Sequence, residues 1–252
     1  MGDEAIIETR GLTKVYGKQA AVQDLYLTVQ AGEIFGFLGP NGSGKTTTLL
    51  MLLGLTEPSG GKARVAGFDP RRDSIKVKRV VGYIPERVGF YDDMTGPENL
   101  HFIAQLNGMP DSVSKKRIDE AIESVGLGEE AQKKIAAYSR GMRQRLGIAQ
   151  ILVREPKIAF LDEPTLGLDP EGTMRIVGYI QSLSRDKNMT VIISSHDLKQ
   201  VQKIADRIGI MLGGRMIATG TMDQLAEEQF GVGDSKISLD DLYMKYFQEI
   251  EL

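Results

Sequence analysis

The run IFGFLGPNGSGKTTTLLMLLG, Ile34–Gly54, decides the fold. Ile34–Leu38 is apolar and stops at Gly39, which reads as a buried strand. From Lys45 a run rich in Leu and Met, closed by Gly54, reads as a helix. Between them, Gly39–Thr46 is GPNGSGKT and matches G-x-x-x-x-G-K-[ST]. Gly39, Gly42 and Gly44 let the backbone turn tightly around Pro40, Asn41 and Ser43, with its amides pointing inward. Those amides and the helix N-terminus make a cradle for phosphate oxygens. Lys45 is placed to reach the β- and γ-phosphates, and the Thr46 hydroxyl to ligate Mg²⁺, with Thr47 beside it. The guanine-reading N-K-x-D pattern is absent from the chain.

Further along, Ile158–Pro164 reads IAFLDEP. An apolar strand ends there in two acids, at the strand edge where open α/β sheets bind ligands. Asp162 would orient Mg²⁺ or its water shell, and Glu163 would act as general base on an attacking water. An acid pair capping a helix before Pro164 would use the same residues. A third apolar run, Val191–Ile193, leads through Ser194 and Ser195 to His196. The imidazole is positioned either to contact a γ-phosphate or simply to close a turn.

These strands alternate with helices, after Pro170 and after His196, as a parallel α/β protein does. Ahead of them Ala5–Glu8, Leu25–Val29, Lys62–Val65 and Val80–Ile84 read as strands. Residues 96–155 break the alternation with three helices. One starts at Pro97 and carries Leu100, Ile103, Ala104 and Leu106; one spans 112–125 and ends at Gly126; one runs from about Gly141 to Val153. The tail SLDDLYMKYF, 238–247, is an amphipathic closing helix. Only about thirty residues follow Met222, too few for a further regulatory domain.

The charge balance is near neutral, 31 Lys and Arg against 34 Asp and Glu, which argues against a nucleic-acid binder. With no Cys, disulfides, thiolate catalysis and Cys-ligated zinc are excluded. No apolar run approaches the roughly 18 residues of a membrane span. The acidic start MGDEAIIETRG has no signal-peptide core. The expectation is a cytoplasmic protein whose membrane role, if any, comes through a partner.

At these residues the chain resembles the ATP-binding subunits of ABC transporters. YSRGMRQ, Tyr138–Gln144, resembles the family signature LSGGQ, keeping Ser139 and Gly141 while Arg140 and Met142 depart from it. The resemblance implies that Ser139, Gly141 and Met142 form a second anion site that closes over ATP held by the opposite subunit. A plain helix cap by Ser139 would look the same in the sequence. KVYG, 14–17, resembles the segment whose aromatic stacks on adenine, hence Tyr16. TLGLDP, 165–170, resembles the D-loop, with Asp169 at the dimer seam, and Ser195-His196 the H-loop. YIPERVGFY, 83–91, falls where the family has its Q-loop, with Glu86 in place of Gln. Glu86 keeps an oxygen for the metal, adds a charge and gives up an amide donor.

The resemblance implies a P-loop NTPase (RecA-like) core, an N-terminal antiparallel β layer and an α-helical insert. Residues 1–252 form one ATP-binding domain, with a catalytic lobe of about 1–89 and 156–252 and a helical subdomain of about 90–155. ATP and Mg²⁺ are the implied cofactors, and Glu163, His196 and Lys45 the catalytic residues. The implied partners are transmembrane permease subunits, contacted through the segment after Glu86, and a second ATP-binding subunit, as a homodimer. Phe90 and Tyr91 are either an exposed anchor for the permease or local core.

Overall fold

The computed structural model describes residues 5–230 and 238–250. Strand β3, Ile34–Leu38, is buried along its whole length. Its side chains alternate: Phe35 and Phe37 enter one hydrophobic cluster, Ile34 and Leu38 another. A strand covered on both faces belongs in a parallel sheet, which explains why its sequence is continuously apolar. β6 (Ile158–Asp162) and β7 (Thr190–Ser195) are buried throughout in the same way. With β5 (Val81–Ile84), β8 (Arg207–Leu212) and β9 (Arg215–Gly220) they form a sheet of order β5-β6-β7-β3-β8-β9. It is parallel except for the β8–β9 pair at the edge.

One face of this sheet is covered by a second, antiparallel sheet, β2-β1-β4, made of Gln19–Gln30, Ala5–Tyr16 and Gly60–Val65. Ile7, Leu12, Leu25, Val29 and Val65 turn inward toward Phe35, Phe37 and Phe160. Helix α1 (Lys45–Leu52) adds Leu49, Met51 and Leu52 to the same cluster. The opposite face carries α6 (Pro170–Arg185) and α7 (Leu198–Ile204). Continuous with that core, α3 (Gly96–Leu106), α4 (Asp111–Ser124) and α5 (Arg140–Arg154) pack on one another. α2 (Ser74–Val80) precedes β5; α8 (Met222–Phe230) and α9 (Leu239–Ile250) close the chain.

The fold is the expected α/β class, with an antiparallel β layer and a helical group between β5 and β6. Three local readings needed extending. β1 and β2 are 12 residues each, because register shifts around Gly11, at φ 61°, interrupt the alternation without ending the pairing. α2, with three basic residues in seven, lacks an apolar stripe. The β8–β9 hairpin turns at Gly213-Gly214, both at positive φ, a Gly-Gly turn between Asp206-Arg207 and Arg215 that the sequence reading leaves unassigned.

Candidate active site

The parallel sheet brings three strand ends to one edge. β3 delivers the 39–46 loop, β6 delivers Asp162 and Glu163, and β7 delivers Ser194 to His196. Gly39 and Gly44 sit at φ 154° and 106° against the backbone oxygens of Met211 and Ala21, which would be 2.2 and 2.4 Å from any Cβ. Glycine at both places is what lets the loop lie flat on its neighbours.

Lys45 is 5% exposed, and its amino group donates to Gly39 O at 2.6 Å and Pro40 O at 3.2 Å. It also pairs with Glu163 Oε1 at 3.6 Å. Burial pulls its pKa below the usual lysine value, while the nearby Glu163 and Asp162 carboxylates oppose that shift. Glu163 Oε2 accepts from His196 Nδ1 at 2.8 Å. Thr46 Oγ1 donates to Asp162 Oδ2 at 2.8 Å, and Ser194 Oγ donates to Oδ1 of the same carboxylate. Lys45, Glu163 and His196 thus form one chain of polar contacts, and Thr46, Asp162 and Ser194 another beside it.

A cleft of ≈ 300 Å³ opens over these groups, lined by Tyr16, Gln19, Asn41–Thr47, Glu86 and Glu163. Tyr16 is half exposed, with the Lys14 ammonium 4.8 Å from its ring centroid. Two buried oxygens of lining residues, Ser43 Oγ and Glu163 Oε1, have no hydrogen-bond partner. A nucleotide and its cation fit this set: a glycine-rich loop at a helix N-terminus, an ammonium, a hydroxyl beside a buried carboxylate, and polar atoms left unsatisfied. Among the described residues no group of three or more His, Cys, Asp or Glu makes a metal cage of protein atoms alone.

The remaining expected site residues lie elsewhere. Ser139, Gly141, Met142 and Asp169 line a separate cleft of ≈ 240 Å³ with Arg145, Glu171, Gly172 and Arg175. The two clefts share no lining residue. Within one chain Ser139 caps α5, accepting from Met142 N at 3.2 Å, and Asp169 caps α6, accepting from Gly172 N at 3.1 Å. Sequence reasoning passed over Ser194, whose hydroxyl also accepts from Glu163 N at 3.2 Å. No spacing in the sequence marked it: it stands opposite Asp162, one strand over, only through the parallel register of β6 and β7. Of the two aromatics after Glu86, Phe90 packs on the core and Tyr91 is 54% exposed, edge-on to Phe102.

The ABC transporter family profile matches residues 22–166. The bacitracin transport ATP-binding protein BcrA of Bacillus licheniformis is 42% identical over 87% of this chain and 71% of its own length. Its namesake from Enterococcus faecalis is 40% identical over 96% of this chain and 80% of its own. A solved structure described as the ATP-binding subunit of an ABC transporter superposes with a TM-score of 0.86, at 29% identity, covering 96% of this chain and 99% of that one. A profile match spanning more than half of the residues, together with relatives this similar over most of their length, means that the chain belongs to the ABC transporter family, among its ATP-binding subunits.

Proposed function

We propose that this chain binds MgATP in the Tyr16–Glu163 cleft and hydrolyses it to drive a separate membrane permease. The observation that carries this reading is the contact chain Lys45–Glu163–His196, buried at Lys45 and Glu163 and open to solvent at His196, lying beside the Thr46–Asp162 pair. Tyr16 stacks on the base. The backbone amides of the loop after Pro40, up to Thr46, and the Lys45 ammonium hold the phosphates. Thr46, Asp162 and Glu86 hold the cation, which supplies neutralisation of phosphate charge. Glu163 takes a proton from the attacking water, and His196 fixes the orientation of its carboxylate through the 2.8 Å contact. Catalysis rests on positioning and charge rather than on a covalent intermediate.

The cleft around Ser139 is the second half of the site, supplied to a nucleotide by another copy of the chain. Support comes from the separation of the two clefts: neither Ser139 nor Asp169 lines the wall that holds Lys45. Residues 1–89 and 156–252 act as the catalytic lobe and 90–155 as the helical one. The segment around Tyr91 meets the permease, which places the chain on the cytoplasmic face of a membrane. No helix among the described residues is long and apolar enough to cross one. Because the two relatives above are named for bacitracin transport, bacitracin is the first cargo to assay once the permease is known.

The test is phosphate release by the purified chain and by Lys45→Ala. Charge-assisted bonds lost from a buried ammonium are worth about 1.5–3 kcal/mol each, so the variant loses hydrolysis and binds MgATP weakly. Wild-type turnover in Lys45→Ala would overturn the site. Co-purification with a membrane protein from detergent extracts tests the coupling to a permease.

A further inference from the structure

Tyr83 opens the 83–91 stretch but has no role in the site described so far. β5 pairs in parallel with β6, with Tyr83 beside Phe160. Both side chains pack into the cluster beneath α1. Asp162 lies two residues beyond Phe160, on the same face of the sheet and about 7 Å further along the strand, within reach of a phenol. The Tyr83 hydroxyl interacts with the Asp162 carboxylate, and that neighbour adds to burial in pushing the phenol's pKa up. On the other side of Asp162, β7 supplies Ser194 directly opposite, with its hydroxyl on Oδ1. The carboxylate, 2% exposed, is therefore held by the Ser194 hydroxyl from one flanking strand and faced by the Tyr83 phenol from the other. The third hydroxyl on it, from Thr46, belongs to a residue that itself lines the cleft.

We propose that Tyr83 is a positioning residue: with Ser194 it fixes the Asp162 carboxylate in the orientation that receives the divalent cation. This rests on the reading of Asp162 as the carboxylate that holds the metal. Mg²⁺ demands near-ideal octahedral geometry, so a carboxylate free to rotate binds it less well. Once Thr46 turns to the cation, Tyr83 and Ser194 are the hydroxyls that remain to hold the group. Tyr83→Phe removes one oxygen, keeps the ring in the core, and leaves the nucleotide's own contacts untouched.

The affinity of the full chain for a fluorescent, non-hydrolysable ATP analogue is measured twice, in EDTA and in Mg²⁺. Loss of an outer-shell partner costs about tenfold or more in metal affinity. Tyr83→Phe is expected to weaken binding about tenfold in Mg²⁺ and to leave it within twofold in EDTA. Replacing Tyr83 by 4-aminophenylalanine, which restores a donor at the same place, recovers the Mg²⁺ value. Equal affinities of wild type and Tyr83→Phe in Mg²⁺ overturn the proposal. So does a parallel loss in EDTA, which would mark a packing role, or a failure of the amino variant to recover. Asp162→Asn separates the two readings. If it too keeps its Mg²⁺ dependence, Asp162 is not the metal carboxylate. If it loses that dependence while Tyr83→Phe does not, only the role of Tyr83 falls.

Discussion

Glu163 holds a left-handed backbone, φ 49°, which costs a non-glycine residue of order 1–3 kcal/mol. The cost is met locally: Glu163 N donates to Ser194 O at 3.0 Å and Glu163 O accepts from Leu166 N at 3.1 Å. That kink leaves the side chain between Lys45 and His196 rather than in the sheet. Glu163→Gln keeps the shape and loses the base. Turnover is expected to fall about 10²–10⁴-fold with ATP affinity retained, read by phosphate release and by nucleotide binding. Retained binding without turnover should also trap an ATP-bound dimer on size exclusion. Unchanged turnover would move the base to another residue. Glu86 lines the same cleft but is exposed, so its extra charge is screened by solvent. Glu86→Gln is expected to leave hydrolysis by the isolated chain within tenfold, about 1.4 kcal/mol. A collapse of activity would show that the charge itself is required. Most of these residues were legible because phosphate chemistry demands particular residue types at fixed spacing. Ser194 and Tyr83 were not, because a hydroxyl at a strand end or within a strand carries no spacing rule. Their role exists only through the pairing of β5, β6 and β7.

At the scale of elements, buried strands announced themselves as apolar runs, and α3, α4 and α5 as periodic stripes. What the sequence could not show is which strands lie side by side. β7 pairs with β6 on one side and with β3, far away in the chain, on the other, and this order brings His196 to Glu163 and both to the 39–46 loop. The antiparallel layer was only half legible, since its bulges break the alternation by which strands are recognised. Those bulges depend on particular glycines. Gly61 lies at φ 76°, where an added Cβ would be 2.1 Å from Gly11 O and 2.4 Å from Gly11 C. The obstacle is backbone of the paired strand and cannot rotate away. Gly61→Ala is expected to destabilise the fold by about 2–4 kcal/mol, from the left-handed penalty and the overpacking together. Thermal unfolding of the nucleotide-free chain reads it. An unchanged midpoint would mean that β4 yields freely from β1.

At the scale of the whole molecule, the single chain holds two half-sites that do not meet. The phosphate loop and the acids line one cleft, the helix cap at Ser139 and Asp169 another. If two copies close with two-fold symmetry, each nucleotide takes its loop from one chain and its cap from the other. Lys45→Ala spoils the first half of a site and Ser139→Arg fills the second with bulk. A homodimer of either variant then has two defective sites. In a mixed dimer, one site receives both defects and the other receives neither. Random exchange makes about half of the dimers mixed, so about a quarter of all sites become intact under closed two-fold pairing. Mixing the two inactive proteins should restore a measurable fraction of wild-type phosphate release. Differential tags verify that mixed dimers form. If they form and no activity returns, one intact site cannot fire alone or Ser139 does not act across the seam. Normal hydrolysis by Ser139→Arg on its own would remove Ser139 from the site, leaving it the helix cap that its bond to Met142 N already makes it.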